Sequence, residues 1–222
     1  MLFARSRSIQ IVRHEEFPVI LVINPENPQK RLITRVVECL REGGVIVYPT
    51  DTTYGIGCDI FNKKGVKQIY QIKQRDPRKP FSFICADLSD VANYAQVSNF
   101  AFRTLKRNLP GPYTFVLEAT RIVPDTLTTK QKTVGIRIPD DNIALAIVRE
   151  LGHPLVTTSA NLSGEEPLGD PSLIHDSLGR QLDLVVDGGI RMGDPSTVIS
   201  LIGDQVEILR EGSGDLSWIH QL

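Results

Sequence analysis

No GxxxxGK[ST] stretch, no GxGxxG following a candidate strand and no GxSxG elbow occurs in the 222 residues. These absences exclude a Walker P-loop, a dinucleotide fingerprint and the nucleophile elbow of the α/β-hydrolases. Cysteine is scarce: Cys39, Cys58 and Cys85 are odd in number and no two stand at CxxC spacing. That argues against a disulfide framework and a zinc site, and fits buried thiols in a reducing, cytoplasmic compartment. The four histidines, His14, His153, His175 and His220, form no metal pattern, so no metal ligand is expected from the protein. No apolar run approaches the roughly 18 residues that a membrane span needs, which leaves no membrane partner to expect. A formal net charge of -1 excludes a global basic field of the kind that announces a general nucleic-acid binder, though a local basic patch is compatible with it. No Ser/His/Asp triad can be assembled, so any chemistry must rest on positioning and charge neutralisation.

What is present describes one large domain. Hydrophobic residues make up 41% and charged residues 23%, as in soluble globular chains long enough to bury a core. Residues 1–17 carry Arg5, Ser6, Arg7, Ser8 and Arg13 ahead of Glu15-Glu16 and read as an N-terminal extension, disordered or forming a first edge strand. The domain proper is 18–222. Apolar runs predict strands at 18–23, 45–48, 81–85, 113–117, 134–138, 155–158, 183–187, 197–201 and 206–209. Helical spacing predicts helices from Pro28 to Gly43-Gly44, with Asn27 as N-cap, and over 64–74, 88–95, 98–108, 142–151 and 171–180, with a last turn near Trp218. The order lacks a clean βαβ rhythm, so the expected class is α/β with a mixed, partly antiparallel sheet.

Four polar segments sit where strands end, which is where open α/β sheets place ligands. Pro49-Thr50-Asp51-Thr52-Thr53-Tyr54-Gly55 offers three hydroxyls and a carboxylate, either to a small polar ligand or to its own turn. Lys73-Gln74-Arg75-Asp76-Pro77-Arg78-Lys79-Pro80 brings four cations within seven residues at a helix end. They would suit a polyphosphate, or simply the helix dipole and solvent. Thr157-Thr158-Ser159-Ala160-Asn161-Leu162-Ser163-Gly164 can present N–H and O–H donors to phosphate, or form a polar turn. Asp194-Pro195-Ser196-Thr197 enters a strand, and Leu209-Arg210-Glu211-Gly212 follows the next. Arg137 stands between Ile136 and Ile138, and Arg210 follows apolar residues ahead of a glycine-rich stretch; a guanidinium in a buried strand needs an anionic partner.

Read together and in order, these segments are specific. GGVIVYPTDTTYGIGCD at 43–59, KQR at 73–75, PGPYTFVL at 110–117, VGIRIP at 134–139, SANLSG at 159–164, DPSTVISL at 194–201 and LREG at 209–212 make the chain resemble the YrdC/YciO group of threonylcarbamoyl-adenylate synthases over roughly residues 20–215. The resemblance implies a YrdC-like fold, an open twisted mixed sheet with flanking helices around a large positively charged cleft. It implies a nucleotidyltransferase joining L-threonine, bicarbonate and ATP, the ATP with Mg²⁺, into threonylcarbamoyl-AMP and pyrophosphate. That product supplies the threonylcarbamoyladenosine modification of tRNA, which brings tRNA and other tRNA-modification proteins in as partners. A YrdC-like module that binds double-stranded RNA or tRNA without synthase activity, or an enzyme using a different amino substrate, would share these motifs.

The KxR and SxN signatures imply catalytic Lys73, Arg75, Ser159 and Asn161. ATP would be held by Arg75, Lys79, Thr133, Ser159, Asn161 and Arg210, and threonine by Thr52, Arg137, Thr157 and Ser196. The chain departs from the pattern in the strand after the KxR loop. Where many members carry a histidine, Pro80-Phe81-Ser82-Phe83-Ile84-Cys85 has none and looks like the YciO branch. Some of that branch lose the KxR or SxN signature; both are kept here. The extra C-terminal domain of the larger members has no counterpart in these residues.

Overall fold

The structure is a computed structural model that describes residues 18–76, 79–128 and 130–221, with side chains as far as Ile219. Residues 1–17, with the expected extension and His14, lie outside it, as do Pro77 and Arg78 of the cationic segment. In chain order the main elements are β1 (Val19–Val22), α1 (Lys30–Arg41), β2 (Ile46–Tyr48), β3 (Gly55–Asp59), α2 (Lys63–Lys73), β4 (Ser82–Ile84), α3 (Leu88–Tyr94), α4 (Asn99–Asn108), β5 (Tyr113–Glu118), β6 (Thr133–Arg137), α5 (Asn142–Leu151), β7 (Leu155–Ser159), α6 (Pro171–Leu178), β8 (Leu184–Asp187), β9 (Thr197–Ser200) and β10 (Glu207–Arg210). Short 3₁₀ turns follow α6 and β9 and close the chain around Trp218. No helix among the described residues is long and apolar enough to cross a membrane.

The strands form one ten-stranded sheet in the order β1-β8-β2-β3-β7-β4-β6-β5-β9-β10. It is mixed, as expected: β1–β8, β2–β8, β4–β6 and β5–β9 are parallel, and the other neighbours antiparallel.

Two expectations are corrected. The glycine-rich stretch Gly55–Asp59, where no strand is expected, is a buried central strand, β3, held between β2 and β7. Helix α1 starts at Lys30 with Gln29 as N-cap, not at Pro28 behind Asn27. The Asn24 carboxamide oxygen instead accepts from the amides of Glu26 (2.9 Å) and Asn27 (3.4 Å), so the Asn/Pro-rich segment is spent on its own turn.

The two faces of the sheet are covered unequally, and this positions the site. One face packs under α2, α3, α4 and α6 along its length, with Val66, Ile69, Val91, Leu105 and Ile174 against Val47, Ile56, Phe83, Phe115, Ile136, Val156, Val185 and Ile199. Each large side chain buried there contributes about 1.5–3 kcal/mol. The opposite face is covered by α1 and α5 over β1, β8 and β2, where Val36, Val37, Leu40, Ile143 and Ile147 meet Leu21, Ile46, Tyr48, Leu184 and Val186.

Residues aligned across a ladder point to the same face. The register Gly57–Thr157–Ser82–Gly135–Val116 therefore continues that second face across β3, β7, β4, β6 and β5. There it carries small and polar side chains instead of a helix, and these floor a cleft.

Gly57 shows how closely the central strands approach. A Cβ there would stand 2.5 Å from the Val156 carbonyl oxygen and 3.1 Å from Tyr48 Cε1. Gly57→Val is expected to lower stability by about 1–3 kcal/mol. In a denaturant titration the midpoint should fall with the slope unchanged; an unmoved midpoint would contradict the packing described.

Candidate active site

The cleft has a volume of about 280 Å³ and draws its lining from distant parts of the chain. Thr52, Thr53, Tyr54 and Gly55 come from the turn between β2 and β3, and Arg75, Pro80, Phe81 and Ser82 from the connection of α2 to β4. Thr114 and Val116 belong to β5, Thr133, Gly135 and Arg137 to β6, and Thr157, Thr158 and Ser159 to β7. Pro195, Ser196, Val198 and Arg210 complete it from β9 and β10. Three guanidinium groups are thus brought to one cavity, and no carboxylate stands in the described lining.

Each arginine is held differently. Arg137 is paired: its Nη2 lies 2.5 Å from Asp51 Oδ1, and the same nitrogen is shared with Thr52 Oγ1 (2.7 Å) and Thr50 Oγ1 (3.1 Å). The pair is nearly buried, with side chains 11% and 9% exposed. Arg137 Nε and Asp51 Oδ2 are buried with no hydrogen-bond partner among the described residues.

Arg75 donates from Nε to the Lys79 carbonyl (3.1 Å) and from Nη2 to the Pro80 carbonyl (2.9 Å), with its guanidinium over the Phe81 ring. Arg210 donates from Nε and Nη2 to the Ser196 carbonyl (3.1 and 2.6 Å) and from Nη2 to Ser196 Oγ (3.2 Å). Neither has a carboxylate partner among the described residues. Burial pushes the pKa of both downward, and for Arg210 the charges of Arg137 and Arg75 add to the effect. Half-buried cations without counter-ions are a receptor for an anion.

The KQR segment is split by its own backbone. Helix α2 ends at Lys73, and Gln74 adopts the left-handed conformation (φ 49°, ψ 40°), which turns the chain sharply. Arg75 is thereby sent into the cleft while Lys73 stays behind it, 1% exposed. The Lys73 ammonium donates to the Ser159 carbonyl (2.6 Å), the Asn161 carbonyl (2.7 Å) and Asn161 Oδ1 (2.8 Å). Asn161 Oδ1 also accepts from Ser159 Oγ (2.6 Å), and Asn161 Nδ2 donates to the Glu165 carbonyl (2.5 Å). All three ammonium protons are used, so Lys73 fastens the loop after β7 to the end of α2.

Of the residues expected at a ligand, Thr52, Arg75, Thr133, Arg137, Thr157, Ser159, Ser196 and Arg210 do line the cleft. Lys73 and Asn161 do not; they are buried supports for Ser159. Lys79 is exposed, stands outside the described lining, and contributes its carbonyl to Arg75. No cluster of three or more His, Cys, Asp or Glu among the described residues is placed to hold a metal.

A family model, Sua5_yciO_yrdC, described as "Telomere recombination", matches residues 38–212. The chain belongs to the Sua5/YciO/YrdC family. YciO of Escherichia coli (strain K12) is 45% identical over 196 residues, 87% of this chain and 95% of that protein. The crystal structure of E. coli YciO matches the fold with a TM-score of 0.86, covering 90% of this chain and 98% of the other. The threonylcarbamoyl-AMP synthase of Coxiella burnetii is 33% identical over 157 residues, 70% of this chain and 84% of that enzyme. P. abyssi Sua5 complexed with L-threonine matches with a TM-score of 0.86 at 29% identity, over 91% of this chain and 60% of that one.

Several cleft residues are not among the expected site residues. Ser82, Thr114, Val116 and Val198 stand in stretches read as strands, and they reach the cleft because alternate strand positions face it. Asp51, the counter-ion of Arg137, stood in a motif read for its hydroxyls.

Burial lowers the pKa of Lys73 from 10.5 to about 8, with the Arg75 charge second. Between those values the unfolded chain holds the proton and the folded chain releases it, so this group's contribution to stability rises with pH across that window. A neutral amine, however, has two N–H bonds for three acceptors, and the Ser159 loop loses a tether. Affinity of the cleft for an anionic probe, inorganic sulfate followed by calorimetry, is therefore expected to fall as pH rises through about 8. Lys73→Met should bind weakly throughout with no such step, and a wild-type affinity flat across this range would refute the tether.

Proposed function

We propose that the cleft binds ATP, L-threonine and bicarbonate and forms threonylcarbamoyl-AMP and pyrophosphate; relatives 33% identical to the chain are named threonylcarbamoyl-AMP synthase. The observation that carries the reading is the convergence of Arg75, Arg137 and Arg210 with the hydroxyls of Thr52, Thr133, Thr157, Ser159 and Ser196 in one cavity without a carboxylate in its described lining. The L-threonine held by P. abyssi Sua5 supports the amino-acid half of it.

In this reading Arg137, oriented by Asp51, meets the α-carboxylate of threonine beside Thr52 and Ser196. The amine attacks the carbon of bicarbonate and water leaves, giving a carbamate. A carbamate oxygen then attacks the α-phosphorus and pyrophosphate departs. Negative charge grows on the phosphate oxygens, so Arg75 and Arg210 stabilise the transition state more than the ground state. Ser159, its backbone held by Lys73, turns its hydroxyl proton from Asn161 Oδ1 to the α-phosphate. Mg²⁺ enters with the nucleotide as part of the substrate. The cytoplasmic product would pass to tRNA-modifying partners.

The test is incubation with ATP, L-threonine and labelled bicarbonate, following a labelled adenylate and pyrophosphate together. Both should appear only when threonine is present. Arg75→Ala and Arg137→Ala should each reduce the rate by roughly 10²–10³. Pyrophosphate release without threonine, or with serine in preference to it, would reassign the amino substrate. RNA binding that weakens steeply with salt, in the absence of any adenylate, would favour the non-catalytic reading.

A further inference from the structure

Tyr48 is fully buried under α1 and α5, yet its hydroxyl reaches Thr157, a residue that lines the cleft. The ring gets there by lying across β3. Tyr48 is aligned with Gly55, and Gly57 with Thr157, so the phenol passes over one strand to touch the next. A Cβ at Gly55 would stand 3.1 Å from Tyr48 Cζ, and one at Gly57 3.1 Å from Cε1. The two glycines leave the slot that the ring fills. At its end the phenol oxygen lies 2.5 Å from Thr157 Oγ1.

Neither hydroxyl has another hydrogen-bond partner among the described residues. That decides the direction of the bond. If Thr157 were the donor, the phenol proton would be left without an acceptor in an apolar core, which costs free energy. If Tyr48 is the donor, its proton is satisfied and only the weaker acceptor capacity of the phenol oxygen goes unused. Thr157 then accepts from behind, and its own proton is free to point into the cleft that it lines.

We propose that Tyr48 is a positioning residue that makes the Thr157 hydroxyl a dedicated hydrogen-bond donor to an acceptor oxygen of the ligand: a carboxylate, carbamate or phosphate oxygen, and not an ammonium. Burial also pushes the phenol pKa upward, so the donor keeps its proton throughout the neutral range. The proposal rests on the function argued above only for the identity of the ligand.

Two measurements separate the parts. The phenol C–O stretch differs between a donating and an accepting hydroxyl, and the infrared difference between wild type and Tyr48→Phe reads it without any ligand. The donor signature is expected. Calorimetric binding of ATP and of L-threonine, measured separately, should show at least one weakened roughly three- to tenfold by Tyr48→Phe. Thr157→Val should weaken it similarly, Thr157→Ser should retain most of it, and the double variant Tyr48→Phe/Thr157→Val should be no worse than Thr157→Val alone. Circular dichroism of each variant should match wild type.

An acceptor signature, unchanged affinities in Tyr48→Phe, or fully additive losses in the double variant would overturn the proposal. Wild-type protein that binds neither ATP nor L-threonine would instead sink the function proposed above, with the infrared band still deciding the direction of the bond.

Discussion

One buried ammonium joins the two halves of the site. Lys73 closes α2 and gives all three protons to the Ser159–Asn161 loop at the end of β7, two segments separated by more than eighty positions in the chain. An ammonium taken out of water is tolerable only with its donors saturated, so the lysine dictates where those three oxygens must be. Ser159 on one side and Arg75 on the other inherit their places from it. The lysine that the motif advertises thus shapes the cleft at one remove, through the frame it sets.

The cleft itself follows from an economy of cover. A sheet of ten strands offers more face than α1 and α5 can shield, and the remainder carries Gly135, Ser82, Thr114 and Thr157 where a packed face would carry leucine or phenylalanine. Small polar residues make such a face stable in contact with water, and their size gives the floor its depth. Into this half-shielded space project Arg75 and Arg210 without carboxylate partners among the described residues, while Arg137 is matched by Asp51. The charges of Arg137 and Arg75 weigh on Arg210, a cost that an entering anion would relieve.

The sequence made most of this legible through its periodicity and its motifs. The apolar alternation of Tyr113–Glu118 and the helical spacing of Asn142–Leu151, capped by Asp141, belong to elements where local preference and tertiary packing agree. β3 was hidden because Gly55 and Gly57 have no strand preference of their own; neighbours on both sides, not propensity, make them a strand. The division of KQR into an inward lysine and an outward arginine depends on the left-handed turn at Gln74, a non-glycine conformation that composition does not announce. Ser82 and Thr114 are ordinary in sequence and become cleft residues only through register.

The pair of glycines beneath Tyr48 has a consequence for how this sequence can drift. An alanine at 55 crowds the ring at 3.1 Å, one at 57 also meets the Val156 carbonyl oxygen at 2.5 Å, and losing the ring while keeping the glycines opens a void along the sheet. The sizes of positions 48 and 55, and the threonine that the phenol touches, are therefore coupled, while 57 is held small by the Val156 backbone as well. A lineage that abandons one of them must pass through a poorly packed intermediate or exchange the whole set.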